Sequence, residues 1–274
     1  MKLVGFSRNS LLCATLISIM QKRIKLTQKL FTLTHWALGL NDPYFGSPSK
    51  TDKKIMELIS SKCNDLTLID VGAFKGDMTR FFKEAFPKSH AILIEPNKEL
   101  EEYLNLAFPE DKVLTDAISP QKYISYKLNQ KNPGQSGEGF KQIVNSLELE
   151  EVVECKTLTE VIDSCDKQVP YIIKIDVEGF ELEVLSTIKQ EIFKQINFLW
   201  VEITPDGAVR GSSQDAIRNI IPPDFDMFRI IPNGLILIAN DSSDHWSYNS
   251  NLFQNLFFAR RGLLAVQKKS VIKI

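Results

Sequence analysis

The 274-residue sequence has little of what metal centres and disulfide scaffolds are made from. Its four cysteines, Cys13, Cys63, Cys155 and Cys165, form neither a CxxC pair nor a disulfide-like spacing. That pattern excludes a cysteine-ligated zinc module and suits a reducing cytoplasm. The three histidines, His35, His90 and His245, are too scattered to build a zinc site. Net charge is also nearly absent, at -1, which argues against nucleic acid as the main partner, because phosphate binding needs a basic surface. No apolar run is long enough to span a bilayer: "LLCATLISIM", Leu11 to Met20, is too short. Gln21-Lys22-Arg23 then stands where a signal peptide would need small residues for cleavage. Internal repeats and low-complexity tracts are missing as well.

One absence is local. No acidic residue precedes Asp42, whereas Lys2, Arg8, Lys22, Arg23, Lys25 and Lys29 are all basic. Residues 1–50 read as a helical basic extension closed by the turn-rich linker "NDPYFGSPS". Two readings stand open for it. It packs on the main domain, or it lies on an anionic membrane surface or grips an anionic substrate. The expected location is cytoplasmic, with peripheral membrane contact under the second reading. The oligomeric state is not legible.

Residues 51–274 read as one domain of ordinary globular composition, 43% hydrophobic and 24% charged. Strand and helix patterns alternate along it. "LTLIDVG" (Leu66 to Gly72) and "AILIEP" (Ala91 to Pro96) are short apolar strands separated by a helical stripe through Met78, Phe81, Phe82 and Ala85. "KVLTDAIS" (Lys112 to Ser119) reads as a third strand. Thr157 and Glu160 form a capping box at a helix start. "YIIKIDVEGFE" (Tyr171 to Glu181) is a buried strand running into an acidic turn, and "FLWVEI" (Phe198 to Ile203) is the next strand. Asn233-Gly234 between apolar runs signals a hairpin, and "NLFFARR" (Asn255 to Arg261) a last strand. The alternation predicts an α/β doubly wound sheet, mostly parallel, with helices on both faces and antiparallel strands closing it.

In such sheets ligands bind at the carboxyl ends of the strands. Asp70, Glu95, Asp116, Asp176 with Glu178, and Glu202 all fall at strand ends, so five ends supply carboxylates to one rim. The first junction, "DVGAFKG", carries Gly72 and Gly76 as D-x-G-x-x-x-G. It is neither the G-x-G-x-x-G of dinucleotide binders nor a P-loop. Glycines there let backbone approach a ligand closely, and Glu95 is placed to accept hydrogen bonds from two ribose hydroxyls. The combination describes an adenosine-bearing ligand without a pyrophosphate, which fits S-adenosylmethionine better than a nicotinamide dinucleotide.

"IDVGAFKGDMTRFF", "ILIEPN", "TDAIS", "KTLTEVI", "IIKIDVEGFELEVL", "LWVEI" and "NLFFARR" occur in the order and spacing of the FkbM family of methyltransferases. The chain resembles that family from about Leu66 to Arg261. The resemblance implies the class I methyltransferase fold, a seven-stranded sheet whose last strand is antiparallel, and S-adenosylmethionine as cofactor. It further implies O-methylation of a sugar, glycan, glycolipid or polyketide hydroxyl. By resemblance, Asp70, Gly72, Ala73 and Gly76 line the methionine end of the cofactor. Glu95 holds the ribose, Asp116 and Ala117 border the adenine, and Asp176 also lies against the cofactor. Phe74-Lys75 departs from the family's usual Asn-Ile.

Methyl transfer to a hydroxyl needs a group to take the acceptor's proton. Asp176 and Glu178 are the candidate bases. Lys174, two residues earlier on the same strand face, either keeps Asp176 ionised or ties Asp70 or Glu202 structurally. Glu181 reads as a first-turn helix charge. His245 in "DSSDHWSYN" and the glycine-rich "NPGQSGEGF" read as loops on the acceptor side. A hard-cation site from Asp176, Glu178 and Glu202 is the alternative for these carboxylates. Beside the methyltransferase stand a cofactor-binding scaffold without turnover and a nicotinamide-dependent dehydrogenase. The missing G-x-G-x-x-G weighs against the dehydrogenase.

Overall fold

The computed structural model describes residues 50–127, 137–138, 150–165, 169–231, 234–238, 254–264 and 271–273. The basic amino-terminal extension, most of the glycine-rich insert and the His245 segment lie outside them. Helix α1 (Lys50–Ser60) leads into β1 (Thr67–Val71), α2 (Asp77–Ala85), β2 (Ala91–Ile94), α3 (Glu101–Ala107) and β3 (Lys112–Leu114). Then come β4 (Ala117–Ile118), β5 (Tyr123–Lys127), β6 (Gly137–Glu138), β7 (Glu150–Lys156), α4 (Leu158–Asp163), β8 (Tyr171–Ile175), α5 (Glu181–Ser186), β9 (Ile196–Ile203), α6 (Pro205–Val209) and α7 (Gln214–Ile220). The chain closes with β10 (Phe225–Ile231), β11 (Gly234–Ile238), β12 (Gln254–Arg260) and β13 (Val271–Lys273).

The main sheet has the order β13-β11-β10-β12-β9-β8-β1-β2-β3. From β3 to β9 every pairing is parallel. β12 then enters antiparallel between β9 and β10. Without β11 and β13, this is the seven-stranded sheet with an antiparallel last strand that the sequence implied. The strand order reverses between β1 and β8, where the chain leaves one half of the sheet for the other, and ligand crevices form at such a point.

The short apolar strands are buried on both faces, as parallel strands require. Ile69, Val71, Ile173, Ile175, Leu199 and Val201 face α4, α5 and α7. Leu68, Ile172, Phe198, Trp200 and Phe257 face α1, α2 and α3. Removing side chains of this size from water stabilises by about 1.5–3 kcal/mol each. The capping box is present, with Thr157 accepting from the Glu160 amide and Glu160 from that of Thr157.

One expected strand is two. β3 pairs with β2 at the sheet edge, and after Thr115-Asp116 the chain turns away. β4 (Ala117–Ile118) then joins a second sheet, β4-β7-β5-β6, with β5 (Tyr123–Lys127), β6 (Gly137–Glu138) and β7 (Glu150–Lys156). The reason lies in burial: β3 is only half covered, while Ala117 finds its apolar partner in Val153 of β7.

Candidate active site

The turn after β1 is built by close approach. The Gly72 and Ala73 amides both donate to the Ile94 carbonyl, at 2.9 and 3.1 Å, so the turn folds over the end of β2. Gly72 and Gly76 have φ of +76° and +73°, in the left-handed region that glycine tolerates. A Cβ on Gly72 would stand 1.9 Å from the Asp176 carbonyl oxygen, and one on Gly76 would stand 2.3 Å from the Phe108 ring. The glycines are therefore required first by the protein itself, and not only by the approach of a ligand. Ala73 is buried in the core beneath the turn.

Glu95 follows β2 and is 6% exposed. Its Oε2 accepts from the Phe74 amide at 2.8 Å and its Oε1 from the Asn97 amide at 2.9 Å. Burial pushes this carboxyl up, and the two amides oppose that shift. Each carboxylate oxygen has two acceptor sites, so one on each remains for a diol. This acceptor pair fits the two hydroxyls of a ribose.

Asp70 plays a different part from the one expected. Its side chain has no exposed surface, so it cannot line a ligand from this position. Its Oδ2 accepts from Thr79 Oγ1 at 2.8 Å, and its Oδ1 lies 3.7 Å from Lys174 Nζ. Burial raises this carboxyl and the Lys174 ammonium lowers it, with the net direction upward. Asp70 orients α2 and Lys174. Asp116, expected at the adenine, is paired with Lys156, and Ala117 is buried beside Val153. Thus the rim has fewer free carboxylates than the strand-end count suggested.

The remaining carboxylates are brought together. β8 and β9 pair Lys174 with Trp200 and Ile175 with Val201, which places Asp176 and Glu202 side by side one step beyond. Lys174 Nζ is 2.9 Å from Asp176 Oδ2 and 3.4 Å from the Gly72 carbonyl. Burial works to lower the Lys174 pKa, but the Asp176 and Asp70 carboxylates outweigh it, so the ammonium holds its proton firmly. Burial likewise works to raise Asp176, and Lys174 with Glu202 reverses this, so Asp176 sits below the usual range. Glu202 is pushed up to about 10, by burial first and then by the Asp176 charge. Glu178 projects from the same turn with φ +54°. Among the described residues no three potential ligands form a metal-holding group.

Glu181 does stand in the first turn of α5, as its position suggested, but with no exposed surface. Its Oε1 accepts from the Gly179 amide at 2.8 Å. Burial raises it to about 7. Around it the turn after β8 is tied to the turn after β9. Ser212 Oγ donates to the Gly179 carbonyl at 3.0 Å and accepts from the Leu182 amide at 3.1 Å. Arg210 stacks on the Phe180 ring at 4.9 Å. The only signal in the sequence is small residues (Gly179, Gly207, Ser212) flanking two acidic strand ends, which no local pattern distinguishes from ordinary turns.

A family model described as "Methyltransferase FkbM domain" matches residues 70–227. Among solved structures, the chain is similar to a precorrin-6y C5,15-methyltransferase from Geobacter metallireducens at 10% identity. That match covers 81% of this chain and 98% of the other, with a TM-score of 0.38. A putative methyltransferase from Streptococcus mutans, solved with SAH, is similar at 11% identity over 78% and 99% of the two chains, with a TM-score of 0.40. An rRNA methylase from Streptococcus thermophilus is similar at 9% identity over 78% and 99%, also with a TM-score of 0.40. No curated protein matches the chain. At these scores the fold rests on the strand order described above.

Proposed function

Because this chain belongs to the FkbM family of methyltransferases, we propose that it is an S-adenosylmethionine-dependent O-methyltransferase acting on a hydroxyl of a sugar, glycan, glycolipid or related natural product. The observation that carries the reading is the adjacency of two differently equipped strand ends. On one side the glycine turn of Gly72, Ala73 and Gly76 stands beside Glu95, whose carboxylate is fixed by two backbone amides. On the other, 2.9 Å from a buried ammonium, stands Asp176. When bound, the cofactor would supply an electrophilic methyl group.

Every other task falls to the chain. Glu95 would bind the ribose hydroxyls. Asp176, kept ionised by Lys174, would accept a hydrogen bond from the acceptor hydroxyl and then its proton. Acceptor orientation counts for as much as basicity, since in-line transfer requires the oxygen within about 3–3.5 Å of the methyl carbon. An anionic acceptor group would be repelled by this rim, which favours a neutral hydroxyl. A soluble glycan precursor and a membrane-associated glycolipid both fit this chemistry, and the basic residues before Asp42 suit the second.

Calorimetric titration with S-adenosylmethionine, S-adenosylhomocysteine and a nicotinamide dinucleotide tests the cofactor. Binding of the first two and not the third is expected, and preference for the dinucleotide would overturn the reading. Transfer of labelled methyl from S-adenosylmethionine into a cell extract, followed by alkaline and acid hydrolysis of the product, tests for an ether linkage. A labelled ester or amine would replace the hydroxyl acceptor by another.

A further inference from the structure

We infer that Asp176 and Glu202 hold one proton between them, with Lys174 as fixed counter-ion, and that this pair receives the acceptor's proton. The second half rests on the proposed function; the first concerns the protein alone.

Charged side chains crowd the carboxyl ends of β1, β8 and β9. Lys174 is opposite Asp70 in the β1–β8 register and opposite Trp200 in the β8–β9 register. One residue pair further out, Asp176 neighbours Glu202, and on the far side Asn255 of β12 is opposite Glu202. Three carboxyl groups, Asp70, Asp176 and Glu202, thus share one ammonium. Lys174 is 13% exposed and Asp70 not at all, so water cannot screen them all.

Asp176 has the ammonium at 2.9 Å and stays ionised. Glu202 faces the Asp176 charge and, more distantly, Glu178, with Lys174 beyond Asp176 as the cation on that side. From β12 it meets the uncharged Asn255, whose Oδ1 accepts from the Trp200 indole at 3.2 Å. Two touching carboxyls cannot both ionise without a large cost, and one of them keeps a proton. Among the described residues Glu202 is the one without its own cation, so its O–H donates to Asp176. The directions of the two shifts agree, Glu202 up and Asp176 down.

This pairing suits the reaction's charge balance. As the new O–C bond forms, the C–S bond breaks with its electron pair staying on sulfur. The acceptor's O–H bond breaks and its proton passes to Asp176. The pair goes from one proton to two, and the sulfonium's positive charge disappears together with the pair's negative one. Asp176 touches the acceptor. Glu202 and Lys174 act through Asp176 and are positioning residues.

Infrared spectroscopy of the ligand-free protein in D₂O decides the first half. At about pH 8, where ordinary carboxyls are ionised, the wild type should show a protonated-carboxyl C=O band. Glu202→Gln should lose it, and Glu181→Gln should keep it. An unchanged band in Glu202→Gln overturns the pair. If Glu202→Gln does not fold, Asp176→Asn replaces it. With the neighbouring charge gone, the band should titrate away at a pH lower by one unit or more, and an unmoved midpoint overturns the pair equally. Neither result depends on methyl transfer. If the band behaves as expected but Asp176→Asn transfers labelled methyl at the wild-type rate in extract, the receiving role is overturned and the pair stands.

Discussion

At the scale of single residues, the roles proposed for Glu95 and Asp176 separate binding from chemistry. Glu95 spends one acceptor site of each oxygen on the Phe74 and Asn97 amides. Its removal should therefore both release the turn and cost the ribose hydrogen bonds. Glu95→Ala should weaken S-adenosylhomocysteine binding by about 1.5–3 kcal/mol, the scale of charge-assisted hydrogen bonds. Calorimetry showing wild-type affinity in a folded variant would remove Glu95 from the site. Asp176→Asn keeps the shape and loses the proton acceptor. Turnover should fall by roughly 10²–10⁴ while cofactor affinity stays within about tenfold. A loss of cofactor affinity with unchanged turnover number would reassign Asp176 to binding. Asp176, Lys174 and Glu95 were readable as site candidates because each is a charge that interrupts an apolar strand or follows it directly. The depth of Asp70 and Glu181 was not legible, because sequence shows charge but not burial, although Glu181 does stand in a first helical turn. Asp70 has no exposed surface, and Glu181 is buried against the turn that it stabilises.

At the scale of elements, the central strands of the main sheet (β1, β2, β8, β9 and β12) were legible to within a residue or two, since apolar runs of four to eight residues bounded by turns leave little freedom, whereas β3 at one edge was read too long and β13 at the other was not read. The small sheet β4-β7-β5-β6 was not legible, because β4 and β6 are two residues each and the longer strands carry no clean alternation. The clamp between the turns after β8 and β9 was equally hidden. There a Cβ on Gly207 would come within 2.7 Å of the Gly179 Cα, a contact only folding creates. Gly207→Ala should push the two turns apart and lower stability by about 1–3 kcal/mol, the usual cost of overpacking. Ser212→Ala should remove two hydrogen bonds of the same clamp. The double variant should cost less than the sum, since both changes break one contact. Chemical denaturation of the four proteins checks this, and strict additivity would show that the turns are independent. Gly72→Val belongs here too. With its Cβ 1.9 Å from the Asp176 carbonyl, it should lower the melting temperature as well as abolish cofactor binding.

At the scale of the whole molecule, the buried and half-buried carboxyls set a pH dependence. Glu202 rises from 4.5 to about 10 and Glu181 from 4.5 to about 7, so the folded state binds more protons than the unfolded one across that window. Stability must then fall as pH rises from about 4.5 toward 10, with the Glu181 share complete by about pH 7. Asp176 acts in the opposite sense, and its stabilisation is lost as pH falls below the usual carboxylate range. Melting temperature should peak in mildly acid solution, and Glu202→Gln should flatten the alkaline side of the curve. A wild-type curve that climbs from about pH 5 to about pH 9 would contradict these assignments. One feature of the sheet reaches further, into the order in which the protein is made. β12, residues Gln254–Arg260, lies between β9 and β10, which are both synthesised earlier. While the chain is still emerging from the ribosome, β9 ends in an open edge and the β10–β11 hairpin has nothing to dock on. Asn255, Phe257 and the Arg260 grip on the Ile196 carbonyl all arrive in that one late strand. The edges of β9 and β10 must therefore wait unpaired, and open to aggregation, for a seven-residue strand to close the sheet between them.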